Sequence, residues 1–138
     1  MTGFQIFWPI VAQVLLVFGL YGLLRLRRGR LFRERRISAD NVRWSTGEPP
    51  ESQAVINSIK NQSELPVLFY VCCILLFMTE ADKLPSVLLA WLFVATRYAH
   101  AAIHVTTNRI RIRFYLFISG YIVLAAMYAW LIAWMATS

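Results

Sequence analysis

Residues 4–24 read FQIFWPIVAQVLLVFGLYGLL. This stretch of 21 residues contains no charged side chain, and only Gln5 and Gln13 interrupt its apolar character. A helix of that length covers about 30 Å, which is the thickness of the hydrocarbon core of a bilayer. The stretch therefore predicts a membrane-spanning helix. We expect the mature chain to keep it, because it is too long for a signal peptide and no small-residue cleavage site follows it.

The composition of the whole chain agrees with this prediction. Of the 138 residues, 59% are hydrophobic and 15% are charged, whereas a soluble domain has roughly 25% charged residues. Composition excludes a soluble globular enzyme and a disordered chain. The formal net charge is +7, but the basic residues border apolar runs and no nucleic-acid motif accompanies them. The adjacent Cys72 and Cys73 lie in an apolar run and are interpreted as small buried hydrophobic residues.

Three more spans follow the first. The continuous apolar part of the second, Leu65–Met78, has 14 residues and is too short to cross alone. It must therefore extend back to Ala54. The third and fourth spans are centred on Leu84–Val105 and Phe114–Met135. The prediction is a single membrane domain over residues 1–138, with spans at about 4–24, 54–79, 84–106 and 113–136 and a basic loop over 25–53.

Charge is distributed unequally between the loops. Residues 25–43 carry eight arginines, and Arg109, Arg111 and Arg113 form a second basic connection. The loop between them, residues 79–83, has only Glu80, Asp82 and Lys83 as charged residues. The positive-inside rule places the basic loops in the cytoplasm and both termini outside. We expect an up-down-up-down four-helix bundle in a bacterial inner membrane, with loop arginines contacting lipid headgroups.

A polar stripe enters the second span. Asn57, Lys60, Asn61 and Glu64 recur at helical spacing and share one face of an uninterrupted helix. Ionisable groups inside a membrane are costly, so we expect Glu64 to pair with Arg97 of the third span. Two interpretations are open: an ion pair that fixes helix register, and a polar site between helices.

The third and fourth spans add further polar side chains. His100 and His104 are four residues apart, a spacing that suits metal ligands, packed histidines or contacts to a polar ligand. Metal is the least favoured because no HExxH pattern is present. Arg109, Arg111 and Arg113 are spaced by two and cannot all face one direction on a helix. At least one should therefore point towards the bundle.

Two motifs resemble one family. Residues 60–69, KNQSELPVLF, resemble the second helix of the MAPEG proteins, which are membrane-associated proteins of eicosanoid and glutathione metabolism. Residues 97–100, RYAH, followed by Arg109 and Arg113, are similar to the end of the third helix and the start of the fourth in the microsomal prostaglandin E synthases of that family. The family also includes microsomal glutathione transferases.

The resemblance implies an all-α, four-helix protomer in a homotrimer. It also implies that glutathione, as co-substrate, binds between neighbouring subunits in the cytoplasmic half of the membrane. It places Arg113 among the ligand-facing residues, and we expect Arg113 to have the catalytic role, because a poorly solvated arginine stabilises the glutathione thiolate. The residues that it assigns to glutathione binding are Arg25, Lys60, Asn61, Glu64, His100 and His104.

The chain departs from the family pattern at three positions. Lys60 stands where related enzymes often have arginine, and His104 and Phe117 stand where the prostaglandin synthases have tyrosine. Two function classes are therefore predicted. One is a glutathione transferase or peroxidase that acts on lipophilic electrophiles arriving through membrane lipid. The other is a non-catalytic scaffold, or an accessory subunit of a larger membrane complex with a partner membrane protein. A transporter is disfavoured because the sequence shows neither two similar halves nor broken helices.

Overall fold

The computed structural model describes residues 3–44 and 46–138, which form helices joined by short turns and contain no strand. Four of its helical segments are long and apolar enough to cross a membrane: Phe7–Arg33, Pro50–Met78, Leu84–Val105 and Ile110–Thr137. This confirms the predicted all-α membrane fold. The helices in chain order are α1 (Phe7–Arg33), α2 (Ala39–Arg43), α3 (Pro50–Asn61), α4 (Leu65–Met78), α5 (Leu84–Val105) and α6 (Ile110–Thr137).

The first helix continues past the apolar run that predicts it. The expected span ends at Leu24, but α1 ends at Arg33. The charged residues change the hydropathy of the chain without breaking the helix, because arginine and leucine are both good helix formers. The helix stops where Arg35 adopts a left-handed φ of 58°. The N–H of Arg36 then donates to the carbonyl of Leu31 at 2.9 Å, which is a common helix-ending arrangement.

Ion pairs hold the basic loop against α1 and α3. Arg28 contacts the carboxylate of Glu48 at 2.6 Å, and the Glu48 side chain is only 1% exposed. The hydroxyl of Ser52 donates to the same carboxylate. Arg36 donates to Glu51 at 2.8 Å, and this hydrogen bond raises the pKa of Arg36 above its usual value. Part of the loop that we expect at lipid headgroups is therefore attached to the bundle.

The second span is broken where the sequence predicts a continuous helix over 54–79. Helix α3 ends at Asn61 and α4 begins at Leu65. Pro66 explains the break, because proline has no N–H and its ring clashes with the carbonyl four residues earlier, at Gln62. The break leaves Gln62 buried, at 3% exposure, and Glu64 exposed. Side chains after Asn61 therefore do not follow the periodicity of one straight helix.

Two apolar clusters hold the helices together. In the larger cluster Phe69 of α4 stacks on Phe93 of α5, with ring centroids 4.5 Å apart. Cys72 and Cys73 are free and buried there, as predicted. Such packing is the main source of helix association in lipid. The second cluster joins α1, α3 and α5 nearer the basic loops and consists of Leu20, Leu24, Val55, Ile59 and Ala101.

Aromatic side chains hold the turn at the opposite end of the bundle. The indole N–H of Trp130 donates to the carbonyl of Ala81, and that of Trp134 donates to the carbonyl of Thr79, both at 2.9 Å. Lys83 lies over the ring of Trp134, 5.5 Å from its centroid. Tryptophans are typical of the membrane–water boundary, where one edge of the ring needs a polar partner.

Candidate functional site

A cavity of about 400 Å³ opens between the C-terminal half of α3, the end of α5 and the start of α6. We call it the histidine cavity. Each helix contributes residues that lie one turn apart and therefore share a face. Its lining consists of Asn57, Asn61, His100, His104, Ile110, Arg113, Phe114 and Phe117.

The two histidines form one wall of this cavity. His100 and His104 are 2% and 3% exposed, and their ring centroids are 5.6 Å apart. Neither Nδ1 atom has a hydrogen-bond partner among residues 3–44 and 46–138. Leaving such an atom unpaired costs about 1–3 kcal/mol, so these nitrogens are natural contact points for a polar ligand. Across the same residues, no third histidine, cysteine or carboxylate joins them in a metal-binding group.

Arg113 of α6 lines the same cavity. Its side chain is half-buried, and Nη1 donates to the side-chain oxygen of Asn108 at 2.7 Å. Arg109 and Arg111 are exposed. The prediction that at least one arginine of this segment points towards the bundle is confirmed. One guanidinium carries five N–H donors, so this single hydrogen bond leaves Arg113 able to bind a ligand.

Arg97 lies deeper in the bundle and is fully buried. Its Nε donates to the side-chain oxygen of Gln62 at 3.3 Å, and Nη2 is 3.4 Å from the carbonyl of Asn61. Gln13 donates to the same Gln62 oxygen at 2.8 Å. The predicted ion pair between Arg97 and Glu64 is wrong within the described chain, because the break before Pro66 turns Gln62 inwards in place of Glu64.

Gln13 and Gln62 are buried polar residues around Arg97, and neither is among the predicted site residues. Both had a signal in the sequence. Gln13 is one of only two strongly polar residues in the first apolar run, and Gln62 lies four residues before a proline. A glutamine deep in a span needs a polar partner, so each one indicates a buried polar contact.

A sequence model described as the MAPEG family matches residues 6–133, nearly the whole chain. The chain belongs to the MAPEG family. Comparisons with curated proteins and with solved structures gave no match. The resemblance carried by the second span and by the segment around Arg97 is therefore confirmed. MAPEG members include glutathione-dependent enzymes.

The structure brings together four of the seven residues that the MAPEG resemblance assigns to the glutathione site. Asn61, His100, His104 and Arg113 all line the histidine cavity. The other three are exposed and do not line it. They lie on α1, at the end of α3 and in the break before α4, and are Arg25, Lys60 and Glu64.

Proposed function

We propose that this MAPEG protein is a glutathione-dependent membrane enzyme, a transferase or peroxidase that acts on lipophilic electrophiles. The observation that carries the proposal is the histidine cavity. Arg113 lines this cavity together with two buried histidines whose Nδ1 atoms have no hydrogen-bond partner among the described residues, in a chain with four helices long and apolar enough to cross a membrane. The cavity volume of about 400 Å³ falls within the range of small-molecule sites, about 300–1,000 Å³.

The polar groups of the cavity suit the groups of glutathione. This tripeptide carries two carboxylates, one ammonium and one thiol. Arg113 has the planar donor geometry that binds a carboxylate or an anionic sulfur. Asn61 offers both a donor and an acceptor. Among the described residues, no acidic side chain lines the cavity. Glu64 of a neighbouring subunit would supply the acidic partner for the ammonium.

Arg113 is the residue that we propose activates the thiol. A thiol with a pKa near 8.5 is mostly protonated at neutral pH, and the thiolate is the nucleophile. Lowering that pKa by about 2 units requires about 2.7 kcal/mol of preferential stabilisation of the thiolate. A poorly solvated guanidinium within contact of the sulfur is able to provide this. His104 is the second contact.

Two reactions fit such a thiolate. In a transfer, its sulfur forms a bond to an electrophilic carbon, and the leaving group departs with the bonding electron pair. In a peroxide reduction, the sulfur attacks one peroxide oxygen and the O–O bond breaks. The alkoxide takes a proton, and a second glutathione converts the sulfenic acid to glutathione disulfide and water. In either case, the lipophilic substrate reaches the cavity through the bilayer.

The proposed assembly is a homotrimer with the site at the seam between subunits. Three observations support this proposal: Arg25, Lys60 and Glu64 are exposed, the cavity is open on one side, and α1 does not contribute to its lining. A neighbouring α1 would bring Arg25 to the cavity. We also propose that the arginine-rich loops face the cytoplasm of a bacterial inner membrane, with both termini outside.

Thermal unfolding of the detergent-solubilised protein tests the proposed function. Glutathione in millimolar excess should raise the melting temperature of the wild type, because a ligand at 100 times its Kd stabilises the folded state by about 2.7 kcal/mol. Arg113→Ala should abolish the shift. The matched control is Arg111→Ala, which changes an exposed arginine of the same helix and should keep the shift. An unshifted wild type would contradict the proposal.

One observation favours the second candidate, a non-catalytic scaffold or accessory subunit that binds a partner membrane protein. Phe117 lines the cavity at a position where the resemblance places a tyrosine, and none of the eight lining residues carries a hydroxyl group. If glutathione binds but neither conjugation nor peroxide reduction is measurable with a panel of lipophilic electrophiles, this candidate is the better account.

A further inference from the structure

A second cavity lies at the arginine-rich end of the bundle. Its volume is about 530 Å³, and it is formed where the ends of α1 and α5 meet the start of α3. We call it the basic cavity. Its charged and polar lining consists mainly of Arg27, Arg30, Arg36, Glu51, Thr106 and Asn108. The role proposed above for the histidine cavity does not use these arginines.

Arg27 is the residue that makes this cavity electrostatically positive. It donates to the backbone carbonyls of Glu51 and Val105, at 2.9 and 2.8 Å, and makes no ion pair within the described residues. Its charge is therefore fixed in place without an anionic partner. Two neutral carbonyls orient the guanidinium but do not neutralise it, so the site has an unmet preference for an anion.

The other two arginines of the cavity are paired but exposed. Arg30 contacts Glu34 at 3.1 Å, and Arg36 contacts Glu51 at 2.8 Å. Exposed ion pairs of this kind contribute little, typically less than about 1 kcal/mol. An anion in the cavity can therefore share these arginines without a large loss. Three arginines face a single lining carboxylate, that of Glu51.

The position of the cavity indicates an amphiphilic ligand. The arginines begin where the apolar run of α1 ends, which is the level of the lipid headgroups. Leu26 is 72% exposed and lies one turn before Arg30 on the same face of α1. An acyl chain has an apolar surface to contact there, directly beside the charged group. A small soluble anion would make no use of that surface.

We propose that the basic cavity binds the phosphate headgroup of an anionic membrane phospholipid. Arg27 and Arg30 bind the phosphate oxygens, and Arg36 completes the positive rim. Asn108 accepts from Arg113 through its side-chain oxygen, so its amide nitrogen is the atom left to donate to the ligand. His104 lines both cavities. The bound lipid therefore lies next to the histidine cavity but does not depend on its proposed chemistry.

Thermal unfolding in a neutral detergent tests this proposal with soluble probes. Short-chain phosphatidylglycerol should raise the melting temperature of the wild type more than short-chain phosphatidylcholine does. Arg30→Gln should weaken the apparent affinity for phosphatidylglycerol about fivefold, which corresponds to about 1 kcal/mol for one charge near the membrane surface. The Arg30→Gln/Arg36→Gln double variant should weaken it further. Both changes are at exposed side chains, so each variant should fold.

The matched control is Arg43→Gln, which removes an exposed arginine with one acidic neighbour, Asp40, outside the cavity. It should leave the affinity for phosphatidylglycerol unchanged. Equal losses in Arg43→Gln and Arg30→Gln would show attraction by the overall charge and would overturn the site. Equal shifts with the two lipids would also overturn it. If inorganic phosphate at the same concentration gives the full shift and prevents a further one, the ligand is free phosphate and the lipid assignment fails. None of these outcomes depends on glutathione binding.

Discussion

At the scale of single residues, the charge of Arg97 is the group that costs most to bury. It is fully buried in the bundle, and no carboxylate of the described residues forms an ion pair with it. One amide oxygen of Gln62 accepts from both Arg97 and Gln13. That oxygen therefore stabilises the buried positive charge and connects α1 to α5 through the broken second span.

Removing this shared acceptor should be costly. Gln62→Leu leaves two buried donors, on Arg97 and Gln13, without their acceptor. We expect a loss of about 3 kcal/mol in the free energy of unfolding, because hydrogen bonds to charged groups contribute about 1.5–3 kcal/mol. Thermal unfolding in detergent measures it. Gln53→Leu is the control, since the side chain of Gln53 has its one hydrogen bond to a described residue with Asn57, at an exposed position. If both variants lose the same stability, the central role of Gln62 is contradicted.

At the scale of helices, the contact between α5 and α6 depends on a missing side chain. A Cβ atom added at Gly120 would lie 3.0 Å from the hydroxyl oxygen of Thr96 and 3.8 Å from Cδ of Arg97. Small residues at such positions let two helices approach closely in lipid. The approach also determines how far Arg113 of α6 lies from the histidines of α5.

Gly120→Val should separate α5 and α6 locally. Overpacking of a close contact typically costs about 1–3 kcal/mol, so the variant should melt at a lower temperature. It should also bind glutathione more weakly, because Arg113 on α6 moves away from His100 and His104 on α5. Gly19→Val is the control: apart from the adjacent residues and backbone of α1 itself, no atom of the described residues lies within 4 Å of a Cβ added at that position. A Gly120→Val protein as stable as the control would contradict the proposed close packing.

Sequence patterns predict some of these features and miss others for a physical reason. The four spans follow from hydropathy, which is a property of each segment alone. The spacing of Arg109, Arg111 and Arg113 predicts that at least one of them faces the bundle but not which one. The structure identifies Arg113. The partner of Arg97 could not be obtained this way, because Pro66 interrupts the helix and changes which side chain faces inwards. The extension of α1 to Arg33 was missed because charge ends an apolar run but does not end a helix.

At the scale of the whole molecule, the surface of one protomer combines two kinds of exposed residue. Large apolar side chains such as Phe18 and Leu15 are exposed on α1, as suits a surface in contact with lipid or with another subunit. Arg25, Lys60 and Glu64 are exposed as well. Charged side chains within a membrane need partners, so Lys60 and Glu64 support the proposed homotrimer, in which neighbouring protomers complete one another's sites.

Native mass spectrometry of the protein released from detergent, with glutathione present, tests the central claim most directly. A chain of 15.9 kDa should appear as a trimer that carries up to three glutathione molecules. Arg113→Ala should appear as a trimer without glutathione. A wild-type protein that appears only as a monomer, or as a trimer that never retains glutathione, would contradict a glutathione site completed between subunits.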